Sequence, residues 1–168
     1  MNKEEIKSVG QLCETRNIKQ YKIIDPKSIV LGDWTRHKCQ YGCPAYNTNL
    51  CCPPYSPDSE STKKIIDDYN IALLLHFGKE GKVSKNIVEL ERKIFLLNFP
   101  KTIGFGAGPC TLCKECNLNS CQNPKLARPS MEACGIDVYT TAKNNGFPIE
   151  VAKNKEYEQN YYGLVLIE

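Results

Sequence analysis

Four cysteines fall within twelve residues, Cys110, Cys113, Cys116 and Cys121, in the run GPCTLCKECNLNSCQNP. Thiolates are soft ligands, suited to iron–sulfur cores and to zinc. The spacing C-x2-C-x2-C-x4-C puts three thiolates inside seven residues. A tight loop of that kind aims successive sulfurs at different corners of one compact inorganic core. Bacterial ferredoxins hold cubane clusters with C-x2-C-x2-C-x3-C-P. The present run has one more residue before its last cysteine, and Pro124 follows after two further residues. In ferredoxins the fourth cysteine crosses to the other cluster, so Cys121 is a candidate for either of two centres. Four-cysteine zinc sites usually join two distant C-x2-C knuckles, so the dense run predicts iron–sulfur ahead of zinc.

A second group stands in KCQYGCPAYNTNLCCPPYSP: Cys39, Cys43, Cys51 and Cys52. Pro44, Pro53 and Pro54 stiffen this stretch and remove N–H donors. Side chains of adjacent residues diverge in extended chain, so Cys39, Cys43 and Cys52 are the expected ligands of a second cluster. Its fourth ligand is open among Cys51, Cys134, His37 and Cys121. The two groups together predict two [4Fe-4S] clusters. The alternative is one cluster beside a metal-free cysteine loop. Tyr41, Tyr46 and Tyr55 interleave the upstream cysteines, either shielding a metal from water or simply packing the loop. Gly104, Gly106 and Gly108 allow close backbone approach, to cluster sulfurs or in plain turns. Arg128 is either a counter-charge for the cluster or a solvated cation. Glu132 and Asp137 are candidate proton donors or acceptors, against a plain surface reading. Cys13 and Trp34 are expected in the core, and His76 is expected to be a hydrogen-bonded core residue.

With 168 residues, the chain is predicted to form one iron–sulfur-binding domain spanning 1–168. The formal charge is +3. Eight thiolates around two dicationic cores bring the loaded protein close to neutrality, so the charge gives no reason to expect nucleic acid. Lysines are scattered and no nucleic-acid motif is present. No apolar run reaches the ~18 residues of a membrane span, and the first residues carry no apolar signal core. A cytoplasmic protein with no membrane partner is expected. In such a reducing compartment, ten cysteines point to metal or redox chemistry and away from a disulfide framework.

The elements that position these cysteines follow from periodicity. Residues 2–16 carry Ile6, Val9, Leu12 and Cys13 near helical spacing. Residues 21–24 read as a short strand stopped by Asp25-Pro26. Residues 32–56 show no regular period and are read as an ordered loop. A helix is expected from Ser59 or Ser61 to about residue 69. IALLLHF, 71–77, reads as a buried strand ended by Gly78 and Gly81. Residues 83–99 carry the stripe Ile87, Leu90, Ile94 and Leu97 of a helix packed on a sheet. A strand is expected over 102–107. A helix capped by Ser130 is expected to run to about residue 145, its N-terminal dipole toward the cluster loop. A closing hairpin would pair 148–152 with 161–167. The fold class is therefore α/β or α+β, a single sheet of about five strands covered by about four helices, with two cysteine-rich metal-binding loops.

The segments YGCPAYNTNLCCPPYSP and GPCTLCKECNLNSCQNPKLARPSMEACGIDVY resemble a family of small predicted metal-binding proteins of unknown function, found largely in anaerobes. The shared pattern is an early cysteine loop ending in CPP, then GPC-x2-C-x2-C, then a cysteine before RPSMEA-C-G-I-D-V. The resemblance covers roughly residues 30–145. It implies Cys39, Cys43, Cys52, Cys110, Cys113, Cys116 and Cys121 as ligands, and it draws attention to Cys134. It supplies no activity. No dinucleotide, phosphate-loop or flavin signature accompanies the cysteines. The chemistry therefore predicts a low-potential electron carrier or electron-transfer subunit acting with a redox partner protein. The alternatives are an enzyme whose cluster keeps one open iron, and a zinc-binding or cluster-scaffold module.

Overall fold

The apolar run of the sequence forms the strand around which the chain is built. The computed structural model describes residues 1–14, 18–79, 82–154, 157 and 159–168. Strand β2, Ala72–Phe77, is buried at every residue, so both of its faces are covered. It pairs antiparallel with β1, Gln20–Ile24, and with β4, Tyr161–Leu166. β4 in turn pairs antiparallel with β3, Ile103–Phe105. The sheet order is β1-β2-β4-β3. Alternation along β2 sends Leu73, Leu75 and Phe77 to one face and Ala72 and Leu74 to the other, as the period of two requires.

The first face is covered by α1, Lys3–Glu14, and α4, Val83–Phe95, through Val9, Cys13, Ile87, Leu90 and Ile94. Cys13 is a buried apolar side chain there, as expected. The side chain of Asn2 caps α1 by accepting from the amides of Glu4 and Glu5 at 3.0 and 2.9 Å. The second face packs against α3, Ser59–Asp67, and α5, Val138–Asn144, with Met131, Cys134 and Ile136 between them. On this face His76 stacks on Tyr162, ring centroids 5.0 Å apart, with its Nε2 2.7 Å from Asn160 Oδ1.

The mixed α/β class with one sheet and flanking helices is as the sequence predicted. Among the described residues there are five α-helices and four strands, against an expected four and five. Two differences account for the counts, a helix gained within 32–56 and the strand at 148–152 lost, and a third shortens the last helix. Residues 32–56 contain a helix, α2, Trp34–Gly42. The helix expected from Ser130 is instead a 3-10 turn, Glu132–Cys134, broken by Gly135 at φ +80° and restarted as α5 by Asp137. Residues 148–152 form no strand, and β4 pairs with β2 and β3 in place of that expected hairpin partner. Asp58, one residue before the predicted serine, caps α3 through the Ser61 amide at 2.8 Å. α4 ends at Phe95, so Leu97 is 38% exposed and Phe99 turns inward in its place. The expected extension of α1 to residue 16 and the strand-ending Gly81 lie outside the described residues. Among the described residues no helix is long and apolar enough to cross a membrane.

Candidate metal centre

The two cysteine regions are joined by the segment 129–137. On one side the Gly106 amide donates to Pro129 O at 2.8 Å, and the Met131 amide donates back to Gly106 O at 3.1 Å. On the other side the Gly32 amide donates to Gly135 O and the Asp137 amide to Val30 O, both at 2.8 Å. The RPSMEACGID stretch is thus a bracket between the chain leaving β3 toward Cys110 and the chain entering α2. Gly106 has no room for a side chain: an added Cβ would lie 2.3 Å from Ser84 Oγ and 3.1 Å from Ser84 Cα. Gly104 is equally tight against Ile87 of α4 and pairs with Val165 in the sheet. These two glycines therefore bring β3 onto α4. Their amides are not directed at sulfur. The dipole expected at Ser130 is absent too, because no α-helix starts there; the Ser130 hydroxyl accepts from the Ala133 amide at 3.1 Å.

α2 presents the upstream thiols. Cys39 and Cys43 stand four residues apart, Cys43 closing the helix as its C-cap with its amide on Cys39 O at 3.2 Å. This spacing places both thiols on one helix face. The helix is anchored by two side chains that the sequence reading did not single out. Thr35 Oγ1 donates to Glu132 O at 3.0 Å. Arg36 Nη1 stands 2.6 Å from Ala133 O, 2.7 Å from Pro57 O, 3.0 Å from Ser56 Oγ and 3.2 Å from Ser56 O. It clamps α2 to the end of the CCPP loop and to the bracket. Buried Asn49 organises the loop itself, its Oδ1 accepting from the Cys51 amide at 3.1 Å.

The adjacent Cys51 and Cys52 part company. Cys51 lines a cavity with Cys110, Cys113, Cys116 and Cys121. Cys52 is not among the residues lining that cavity; burial raises its thiol, Asn49 and the Cys110 amide act to lower it, and the charges of Cys43 and Cys110 both act to raise it. Of the sequence-predicted residues, five thiols therefore share the downstream cavity and three form the upstream group. Asn123 Nδ2 donates to Cys113 Sγ at 3.1 Å, a second asparagine that spacing did not reveal. Cys134 belongs to neither group. It is fully buried in the apolar core, where burial pushes its thiol up to about 12 against the opposing pull of Arg36.

The electrostatics mark both groups as short of positive charge. Burial pushes Cys51 up to about 12, with the charges of Cys110, Cys121 and Cys52 adding to it. Burial also raises Cys39 and Cys52, and the charge of Cys43 acts in the same direction on both. A cation between such thiols inverts that sign and favours the thiolates. Arg128 offers little compensation. Its guanidinium forks onto Glu91 of α4, Nε to Oε2 at 2.7 Å and Nη2 to Oε1 at 2.5 Å, both side chains largely buried. It is neither a solvated cation nor primarily a counter-charge to sulfur.

The downstream cavity measures about 20 Å³, room for one or two waters. A polynuclear centre there requires the loop over 111–121 to move outward. That loop is mostly exposed and contains no helix or strand. Among the described residues no three His, Cys, Asp or Glu side chains close on a single point as they would around one ion. All ten cysteines are free thiols.

Cys39 and Cys43 line a larger cavity of about 330 Å³ together with Glu132. Burial raises the Glu132 carboxyl above the ordinary carboxylate range, with hydrogen bonds from its own backbone and Ser130 opposing. The two carboxylates singled out from the sequence thus separate. Asp137 is a helix cap, accepting from the Thr140 amide at 2.9 Å and the Thr140 hydroxyl at 2.7 Å, and only Glu132 meets the thiols. His37 packs against Tyr41 and lines a different, open groove with Tyr46. Trp34, expected in the core, is 44% exposed, and Tyr41 is 73% exposed. None of the three tyrosines lines either thiol cavity.

No curated protein and no solved structure matches the chain. Its residues 22–167 match a family model, and the chain belongs to that family, described as predicted metal-binding protein (DUF2284).

Proposed function

We propose that this chain is an iron–sulfur protein that holds two [4Fe-4S] clusters and exchanges single electrons with a redox partner protein. The observation that supports this reading is that Cys51 lines one cavity with Cys110, Cys113, Cys116 and Cys121, while Cys52 lies outside that lining and acts electrostatically with Cys39 and Cys43. Downstream, Cys110, Cys113, Cys116 and Cys121 provide four thiolates, with Cys51 as a fifth thiol beside Cys110. Upstream, Cys39, Cys43 and Cys52 provide three. When bound, a thiolate-held cubane supplies reversible one-electron transfer at low potential. The chain's own part is to hold the sulfurs, to donate a hydrogen bond to Cys113 from Asn123, and to limit water around them. Ten free thiols suit a reducing compartment.

Anaerobic iron and acid-labile sulfide quantitation tests the reading. Cys113→Ala and Cys52→Ala are each expected to lose about four irons, one cubane's content, and Cys13→Ala none. Colourless protein that carries stoichiometric zinc and no sulfide would refute it.

A further inference from the structure

Cys110 lines a further cavity besides the one it shares with the other downstream thiols. This one measures about 600 Å³, within the size range of small-molecule sites, which are largely apolar with a few placed polar groups. Val83, Val88, Pro109, Leu112 and Leu126 supply its apolar walls. All are aliphatic, and among the described residues no aromatic ring lines the cavity. Leu112 and Leu126 are 45% and 52% exposed, apolar surface that an occupant would remove from water. Ser84 and Ala107, which also line it, are tied together: the Ser84 hydroxyl meets Ala107 O at 3.2 Å and the Ala107 amide at 3.3 Å. Three cations, Lys82, Lys85 and Arg128, face one carboxylate, Glu89. Arg128 is held by Glu91, which does not line the cavity, and Lys85 stands 3.9 Å from Glu89. Lys82 has no carboxylate partner among the described residues. Of the loop over 111–121, only Thr111 and Leu112 belong to this lining, so filling the thiol cavity leaves most of these walls in place.

We propose that this cavity binds a medium-chain aliphatic carboxylate, its chain against Val83, Val88 and Leu126 and its oxyanion toward Lys82. The lining sets this class. Aliphatic walls favour an apolar chain in proportion to the area removed from water, and without aromatic faces they give no preference to a ring. The excess of cations over carboxylates selects a negative head group over a neutral one. The site needs no metal and stands apart from the two-cluster reading, while Cys110 sets its occupant beside the downstream thiols.

Octanoate and decanoate are the probes, 1-octanol is the uncharged control, and the anaerobically purified full chain is the protein. Binding is followed by isothermal titration calorimetry, with iron measured in parallel. The expected result is one carboxylate per chain, with decanoate about fifteenfold tighter than octanoate, since each added methylene is worth about fourfold. Lys82→Gln should weaken both carboxylates about threefold, the weight of one exposed ion pair, and leave 1-octanol unchanged. Leu126→Gln should weaken all three about fivefold, as half of a leucine contact is lost. Both residues are exposed, so neither variant threatens the fold. Absence of saturable binding by either carboxylate up to ~1 mM, the range of weak affinities, overturns the inference. So does uptake of several molecules per chain, equal affinity for the two chain lengths, or carboxylate binding that either variant leaves unchanged. Each outcome is read whatever the iron content, so the fate of the two-cluster reading does not alter the result.

Discussion

Replacing Arg36 with methionine is expected to cost the fold about 3 kcal/mol and to loosen metal binding at both thiol groups. The figure follows from the clamp. Arg36 Nη1 faces four oxygens between 2.6 and 3.2 Å, but it has two protons, so about two strong bonds act at once. Bonds from a charged donor are worth ~1.5–3 kcal/mol each. Part of the loss is offset because Ala133 O also accepts from Ser56 Oγ at 2.7 Å and stays satisfied, whereas Pro57 O does not. Methionine keeps the bulk of the stem, so the change reports the hydrogen bonds more than the packing. For a chain of this length, ~3 kcal/mol corresponds to a fall in Tm of about 6–12 °C. With an m-value of ~2 kcal/mol/M it moves the urea midpoint by ~1.5 M. The assay is urea unfolding of chelator-treated protein followed by far-UV circular dichroism, with metal content measured in parallel on untreated protein. Lysine at this position keeps the charge but not the span, and about half the loss is expected to return. A midpoint within ~0.5 kcal/mol of the parent, with metal content unchanged, refutes the view that Arg36 holds α2 against the CCPP loop.

Two further perturbations test other joints. Gly106→Ala must push Ser84 aside, and because Ser84 Cα itself lies 3.1 Å from the added methyl, a loss of ~1–3 kcal/mol is expected; adding Ser84→Ala should restore less than half of it in the same urea assay, and full restoration contradicts a backbone clash. Tyr162 is buried on the sheet, and burial raises its hydroxyl from 10.0 to about 12. Its neutral form therefore contributes stability that is fully present below pH 10 and lost as pH rises through about 12, so unfolding measured across that window should fall less steeply in Tyr162→Phe than in the parent; parallel slopes exclude the assignment.

The parts of the fold legible in the sequence are those whose own pattern matches their burial. The unbroken apolar run of β2 and the Ile87, Leu90, Ile94 stripe of α4 report directly on a covered strand and a one-faced helix. α2 escapes that logic. Only Thr35 of its nine residues is buried, so it carries almost no apolar stripe, and it is held by Arg36 and Thr35 reaching distant carbonyls. Its one visible trace is the four-residue step from Cys39 to Cys43, helical spacing read as loop spacing. The helix expected at Ser130 fails for a backbone reason, since Gly135 takes a left-handed conformation and Asp137 starts the chain again. Around the candidate centre, spacing singled out Cys110, Cys113, Cys116 and Cys121, which line one cavity together with Cys51 and without Cys52. That Cys51 joins the distant run depends on a contact between segments some sixty residues apart in sequence, which no local pattern encodes; the Asn123 contact to Cys113 is local, ten residues apart, but asparagine is too common in loops for its spacing to mark it.

On the proposed two-cluster reading, the single peptide unit between Cys51 and Cys52 would make cofactor loading a linked event. Filling either pocket fixes the rotamer of one cysteine and the backbone of the other, so part of the conformational freedom lost by the second pocket is already gone. Half-filled protein should accordingly be scarce during reconstitution, the population passing from empty to doubly filled, and an extra glycine inserted at this junction would let the two pockets fill independently.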